Sequence, residues 1–184
     1  MDKYQNNFAY IDGANLHKGI KELGWHLDYK KLRVWLSEKY AVRRAYIFLG
    51  FLPTHTRLYR DLQNYGYTIV FKPTIPNGSG EVKGNCDAEL VLQAVSDMYE
   101  NSYDKALVIT GDGDFACLVT FLQDKQRFLT LISPNHAKAS VLLRRAVAGN
   151  IVSLKQFQKR LEYVRSSRKE ETPVRDGTRK EASS

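Results

Sequence analysis

Short apolar runs alternate with helix-length amphipathic segments along nearly the whole chain, and no other feature of the sequence constrains its fold as tightly. Hydrophobic periodicity predicts strands at 8–12, 44–51, 68–72, 106–110 and 127–132, with a short sixth at 151–152. Helical periodicity fills the gaps at 15–23, 29–39, 56–64, 87–100, 115–125 and 138–148, with a last helix at 154–164. Strands joined by tight turns pair antiparallel, whereas parallel neighbours need long crossovers, and helices supply them. The alternation therefore predicts an α/β fold, an open, mainly parallel sheet with helices on both faces.

Sheets of this kind place their ligands beyond the carboxyl ends of the strands, where the strand order reverses. Polar residues that end a strand are thus the first candidates for chemistry. The run FAYID ends in Asp12 and continues as GAN. An acid that directly follows an apolar run is buried at its stem, so it needs hydrogen-bond donors or a cation nearby. Gly13 suits the turn, and Asn15 either caps the next helix or serves the site.

A second candidate is ALVITGDGDF, which puts Asp112 and Asp114 in one strand-to-helix turn. Asp114 capping a helix from Phe115 is the packing alternative, and it leaves Asp112 without a role. A calcium loop of the EF-hand type is excluded, because the glycine and distant glutamate it needs are missing. The third acid, Asp87, opens CDAELVLQAVSDMY, whose apolar stripe is Leu90, Val91, Ala94, Val95 and Met98. That spacing puts Asp87 on the core-facing side of its helix, although an acid in a first turn also simply suits the helix dipole. Glu89 is turned roughly 200° from Asp87 at 100° per residue and should face water, with most other charges of this helix.

Before Asp87 lies PTIPNGSGEVKGN, a glycine-rich loop. Its glycines are spaced GxGxxxG, not as a dinucleotide fingerprint, and no GxxxxGK[ST] occurs anywhere in the chain. A surface loop that reaches substrate is the expectation, with Lys83 as a candidate phosphate contact. The chain carries 28 Lys and Arg against 20 Asp and Glu, a net charge of +8. That balance suits a polyanion such as nucleic acid. Arginines 43, 44, 57, 60, 144 and 145 include several near Tyr46, Tyr59, Tyr65 and Tyr67. Interleaved arginine and aromatic residues suit single-stranded RNA, whose bases stack while its phosphates seek positive charge. The histidines at 17, 26, 55 and 136 fall in separate segments, which favours surface or packing roles for them.

At 184 residues the chain is sized for one domain, expected at 1–164, followed at 165–184 by a polar tail read as disordered. The longest apolar stretch, AYIFLGFL, is far shorter than the roughly 20 residues a spanning helix needs. The polar start MDKYQNN has no signal-like apolar stretch, so a cytoplasmic protein that avoids membranes is expected. Cys86 and Cys117 offer no CxxC spacing, which excludes a conventional zinc site and a disulfide scaffold.

Taken together, YIDGANL, KGNCDAELVLQAV and VITGDGDFACLV resemble the NYN domain family, a PIN-like group assigned as ribonucleases that includes the LabA-like proteins. The resemblance runs from about Phe8 to Lys155. It implies a Rossmann-like α/β fold and a carboxylate pocket that binds Mg2+ or Mn2+, made by Asp12, Asp87, Asp112 and Asp114. Asn15 would then orient an acid or touch the substrate. Converging carboxylates repel one another, and a hard, oxygen-seeking divalent cation relieves that repulsion, so the physics groups the same residues. The expectation is hydrolysis of RNA phosphodiester bonds. A phosphatase of the haloacid dehalogenase type would need DxD, and Ala14 stands where its second acid belongs. A non-catalytic RNA-binding adaptor that keeps the acids as a structural site is the alternative from a different functional class.

Overall fold

A computed structural model describes residues 5–72, 75–76, 82–83 and 86–164. Its elements run β1 (Asn7–Asp12), α1 (Gly13–Glu22), α2 (Tyr29–Tyr40), β2 (Val42–Gly50), α3 (Thr56–Asn64), β3 (Tyr67–Lys72), β4 (Ile75–Pro76), β5 (Val82–Lys83), α4 (Asp87–Tyr99), β6 (Ala106–Ile109), α5 (Ala116–Asp124), β7 (Phe128–Ser133), α6 (Val141–Ala146), β8 (Ile151–Ser153) and α7 (Gln158–Leu161). Six strands form one sheet in the order β3-β2-β1-β6-β7-β8. Every neighbouring pair in it is parallel, as the helical crossovers require.

Strand β1 lies inside the sheet because both of its faces are apolar. Ala9 and Ile11 point into a core with Leu16 and Ile20 of α1 and Leu32, Trp35 and Leu36 of α2. Phe8 and Tyr10, of opposite parity, point into a second core with Leu90, Ala94 and Met98 of α4 and Leu118, Val119 and Leu122 of α5. Helices thus cover both faces, which is the α/β architecture expected. Among the described residues, no helix is long and apolar enough to cross a membrane.

The strand order reverses between β1 and β6, so the crevice for a ligand opens at the carboxyl ends of these two strands. Gly13 makes the first turn beside it possible. A Cβ there would come within 2.8 Å of the Phe48 carbonyl oxygen and 3.2 Å of Ile47, so only glycine lets α1 start this close to β2.

Several boundaries differ from the sequence expectation, each for a tertiary reason. Helix α1 begins at Gly13 rather than at residue 15, because Asp12 and not Asn15 caps it. The helix expected at 138–148 starts only at Val141. Ser140 N donates to Gly111 O at 3.0 Å, which holds the chain extended, and Ser140 Oγ then accepts from Leu142 N at 3.2 Å as the cap. The helix expected at 154–164 is a 3-10 turn at Leu154–Phe157 followed by α7, which ends at Leu161. There the chain turns away to pair with the loop after α1: Asp28 N donates to Leu161 O and Tyr163 N to His26 O, each at 2.8 Å. In the segment read as a plain loop, β4 and β5 pair antiparallel, Ile75 opposite Lys83. The side chain of Lys83 and the whole tail 165–184 lie outside the described residues.

Candidate functional site

Asp12 closes β1 and opens α1. Its Oδ1 accepts from Asn15 N at 3.0 Å, and its Oδ2 accepts from Thr110 Oγ1 at 3.1 Å. Burial pushes the carboxyl above the usual carboxylate range; the two hydrogen bonds pull it back, and the charges of Asp87 and Asp112 push it up again. The cap that the sequence offered to Asn15 therefore belongs to Asp12. Asn15 does something else, for its Oδ1 accepts from Gly111 N at 2.8 Å. It clips the β1–α1 turn to the turn after β6, and so orients the segment that carries Asp112.

Thr110, fully buried where β6 runs out, joins the same two turns from below the acids. Its hydroxyl donates to Asp12 and accepts from Asp112 N at 3.1 Å. Sequence reading passed over this residue as the end of an apolar run. The available signal was a hydroxyl-bearing, β-branched side chain at the strand end that also carries the acids.

Asp112 Oδ1 accepts from Asp114 N at 3.1 Å and caps the 3-10 turn Gly113–Phe115. The sequence alternative had the roles reversed: Asp114 caps nothing, and α5 starts without any side-chain cap. Asp87, the first residue of α4, approaches from the other side of the crevice. Asp87, Asp112 and Asp114 each offer a carboxylate oxygen, and these atoms all lie within 4.8 Å of one another. Asp12 stands back from this trio but within its electrostatic reach. Among the described residues, no ion pair engages Asp112 or Asp114. Three hard oxygen donors on a half-buried to exposed rim, backed by a fourth, half-buried acid, form a donor set that fits a divalent cation of the magnesium or calcium kind.

Two charges of α4 are not in open water as expected. Glu89 pairs with Lys72, at the end of β3, at 3.2 Å. Asp97 is only 4% exposed and accepts from Tyr10 OH at 2.8 Å and from Gln93 Nε2 at 2.9 Å. Burial and the Asp97 charge drive the Tyr10 phenol far above its ordinary range, so it remains a neutral donor. Beside the trio, a hollow of about 430 Å3 runs from Asp87 and Asp114 along Val91 and Val95, walled by aliphatic side chains and Phe115.

A family described as NYN domain matches residues 9–155 of the chain. The low amplitude and bright protein LabA of Synechococcus elongatus is 29% identical over 133 residues, which cover 67% of this chain and 71% of that protein. A solved structure of a protein of unknown function from Vibrio parahaemolyticus superposes with a TM-score of 0.71 at 21% identity, covering 89% of this chain and 99% of that one. At that identity the likeness extends to the fold alone.

Proposed function

The chain belongs to the NYN domain family, and from that premise we propose that it is a divalent-metal-dependent ribonuclease that hydrolyses phosphodiester bonds of single-stranded RNA. The observation that carries this reading is the convergence of Asp87, Asp112 and Asp114 at the carboxyl edge of the sheet, where the strand order reverses. The net charge of +8 supports a polyanionic substrate, because a basic chain that gathers acids at one point sets them apart from its general surface.

In this reading Asp87, Asp112 and Asp114 hold Mg2+ or Mn2+. When bound, such an ion lowers the pKa of a water and stabilises charge on phosphoryl oxygens. The remaining work falls to the chain itself. Asp112 is fixed in place by Thr110, which holds its backbone N–H, and by its own cap bond to Asp114 N. Asn15 and Thr110 hold the two acid-bearing turns at a constant separation, so that the rim is formed before substrate arrives. Burial raises the carboxyl of Asp12 above the usual range, so it holds a proton more tightly than an ordinary carboxylate does.

The test is cleavage of end-labelled single-stranded RNA with Mn2+ and with chelator. Cleavage that stops with chelator and leaves 5′-phosphates is the expected result. Binding without cleavage would favour the adaptor reading, and cyclic phosphates formed without metal would contradict the proposal.

A further inference from the structure

A second hollow lies against the start of α1, next to the turn that carries Asp12. It has a volume of about 290 Å3 and is lined by Gly13 and Ala14 at the start of α1, Gly50 at the end of β2, and the side chains of His17, His55 and Tyr59, with Tyr29 and three leucines completing the wall. Unlike the hollow beside Asp87, it carries two imidazole side chains among its apolar walls. His17 and His55, dismissed singly in the sequence because they stand far apart, face one cavity in the fold. Tyr59 is fixed in its wall, since its hydroxyl accepts from Leu52 N at 2.8 Å and donates to Leu52 O at 3.2 Å. The His55 ring packs edge-on to Tyr59 with centroids 6.4 Å apart. Tyr59 in turn contacts Phe51 and Phe71, which are 40% and 38% exposed although aromatic. Arg57 and Arg60 of α3 are exposed on the same helix as Tyr59.

Resting on the nuclease reading, we infer that this hollow is a nucleobase subsite, which seats an unstacked base of the RNA next to the phosphodiester at the acids. Four features argue for that occupant. The cavity is lined by Gly13 and Ala14, the two residues directly after Asp12, so it adjoins the turn that carries this acid. Its walls combine flat rings with imidazole groups that both donate and accept hydrogen bonds, the chemistry that recognises a base edge and face. The exposed rings of Phe51 and Phe71 continue the surface for a following base, and the exposed Arg57 and Arg60 of the same helix as Tyr59 offer positive charge to phosphates. The size falls at the lower end of small-ligand pockets, suited to one ring system and too small for a peptide helix. A base can enter only when it leaves its stack, so the subsite selects single strands over duplex.

The experiment has two arms, both with the whole chain. In the first, the imidazole NMR signals of His17 and His55 are followed while nucleoside 5′-monophosphates, or ribose 5-phosphate as a base-free control, are added in chelator. In the second, binding of an oligoribonucleotide with a single abasic position, moved stepwise along the strand, is measured for wild type, the His17→Ala, His55→Ala double variant and Ala14→Phe, which adds a ring to the cavity wall. Nucleotides should shift both histidines and ribose 5-phosphate should not. One abasic position should weaken wild-type binding by roughly 5- to 150-fold, the range for one stacked base, and the variants should lose that dependence. Equal shifts with ribose 5-phosphate would make this a phosphate site and overturn the inference. So would a changed oligomeric state of Ala14→Phe, which would mark an interface between copies. Unshifted histidines and a flat abasic scan, with RNA still cut in Mn2+, would overturn the subsite and leave the nuclease reading intact. Shifted histidines with no cleavage would uphold the subsite and remove the nuclease reading.

Discussion

The side-chain oxygen of Asn15 accepts a hydrogen bond from Gly111 N at 2.8 Å, across 96 residues of sequence. This bond ties the end of the first strand to the turn after β6 and holds Asp12 and Asp112 on one rim. Removing the acceptor leaves a part-buried N–H without a partner, which costs about 1–3 kcal/mol. Asn15→Ala should lose that much stability in metal-free denaturant unfolding and should also weaken Mn2+ binding, although Asn15 is not counted among the ion's holders. Unchanged Mn2+ affinity in a destabilised variant would reduce Asn15 to a packing residue.

Thr110 makes a comparable pair of bonds from below. Thr110→Val keeps the shape but deprives Asp12 Oδ2 of its donor and Asp112 N of its acceptor. A loss of about 1–3 kcal/mol is expected, with most of it restored in Thr110→Ser. Equal stability of the valine and serine variants would contradict the hydroxyl's role.

Asp12 gives a pH signature. Its carboxyl titrates above the ordinary value in the folded chain, so the folded state binds its proton more tightly than the unfolded state does. That contribution is complete below the ordinary pKa and is lost as pH rises through the raised one, above which an ionised, half-buried group weakens the fold. Asp12→Asn keeps a capping oxygen and removes the charge. Metal-free, it should match or exceed wild-type stability at neutral pH, and its advantage should vanish on acidification. Asp12→Ala also forfeits the cap and should fall about 0.5–2 kcal/mol below Asp12→Asn. A deficit in Asp12→Asn that is constant across pH would contradict the electrostatic assignment.

Asp112 and Asp114 separate in the same way. Both contribute charge to the repelling trio, but only Asp112 accepts a cap bond. Without metal, Asp114→Ala should therefore be as stable as wild type or more so, while Asp112→Ala should be the weaker of the two, by up to about 0.5–2 kcal/mol. Thermal melts in chelator decide the order, and the reverse order would mean that the cap bond carries no weight.

The alternation of apolar runs and helical segments made the sheet legible, and the acids at FAYID and TGDGD marked the strand ends at which a site was to be expected. What escaped was the division of labour among them. In the sequence, capping and cation binding looked like rival roles for a carboxylate, yet Asp12 and Asp112 each spend one oxygen on a backbone N–H while remaining part of the acidic cluster. Asp97 fell under the general expectation of water for the charges of α4, yet it stands three residues after Ala94 and seven after Leu90, on the buried side, where Tyr10 of β1 brings it a hydroxyl. The apolar positions Leu154, Phe157 and Leu161 fit a helical stripe, but bonds from Asp28 and Tyr163 decide where that helix stops. For Asp97 and the last helix a partner distant in sequence decided the outcome, whereas the caps of Asp12 and Asp112 are local bonds from N–H groups two or three residues on.

The central claim is that Asp87, Asp112 and Asp114 hold one divalent-cation site on which RNA cleavage depends. The most direct measurement is the stability gained on adding Mn2+, followed together with cleavage, for wild type and for Asp87→Asn, Asp112→Asn and Asp114→Asn. A ligand that binds only the folded state adds about 2.7 kcal/mol at a hundredfold excess over its dissociation constant. Wild type should gain on that scale, whereas each variant should gain far less and fail to cut RNA that it still binds. Equal stabilisation of all four proteins with cleavage retained would contradict the account.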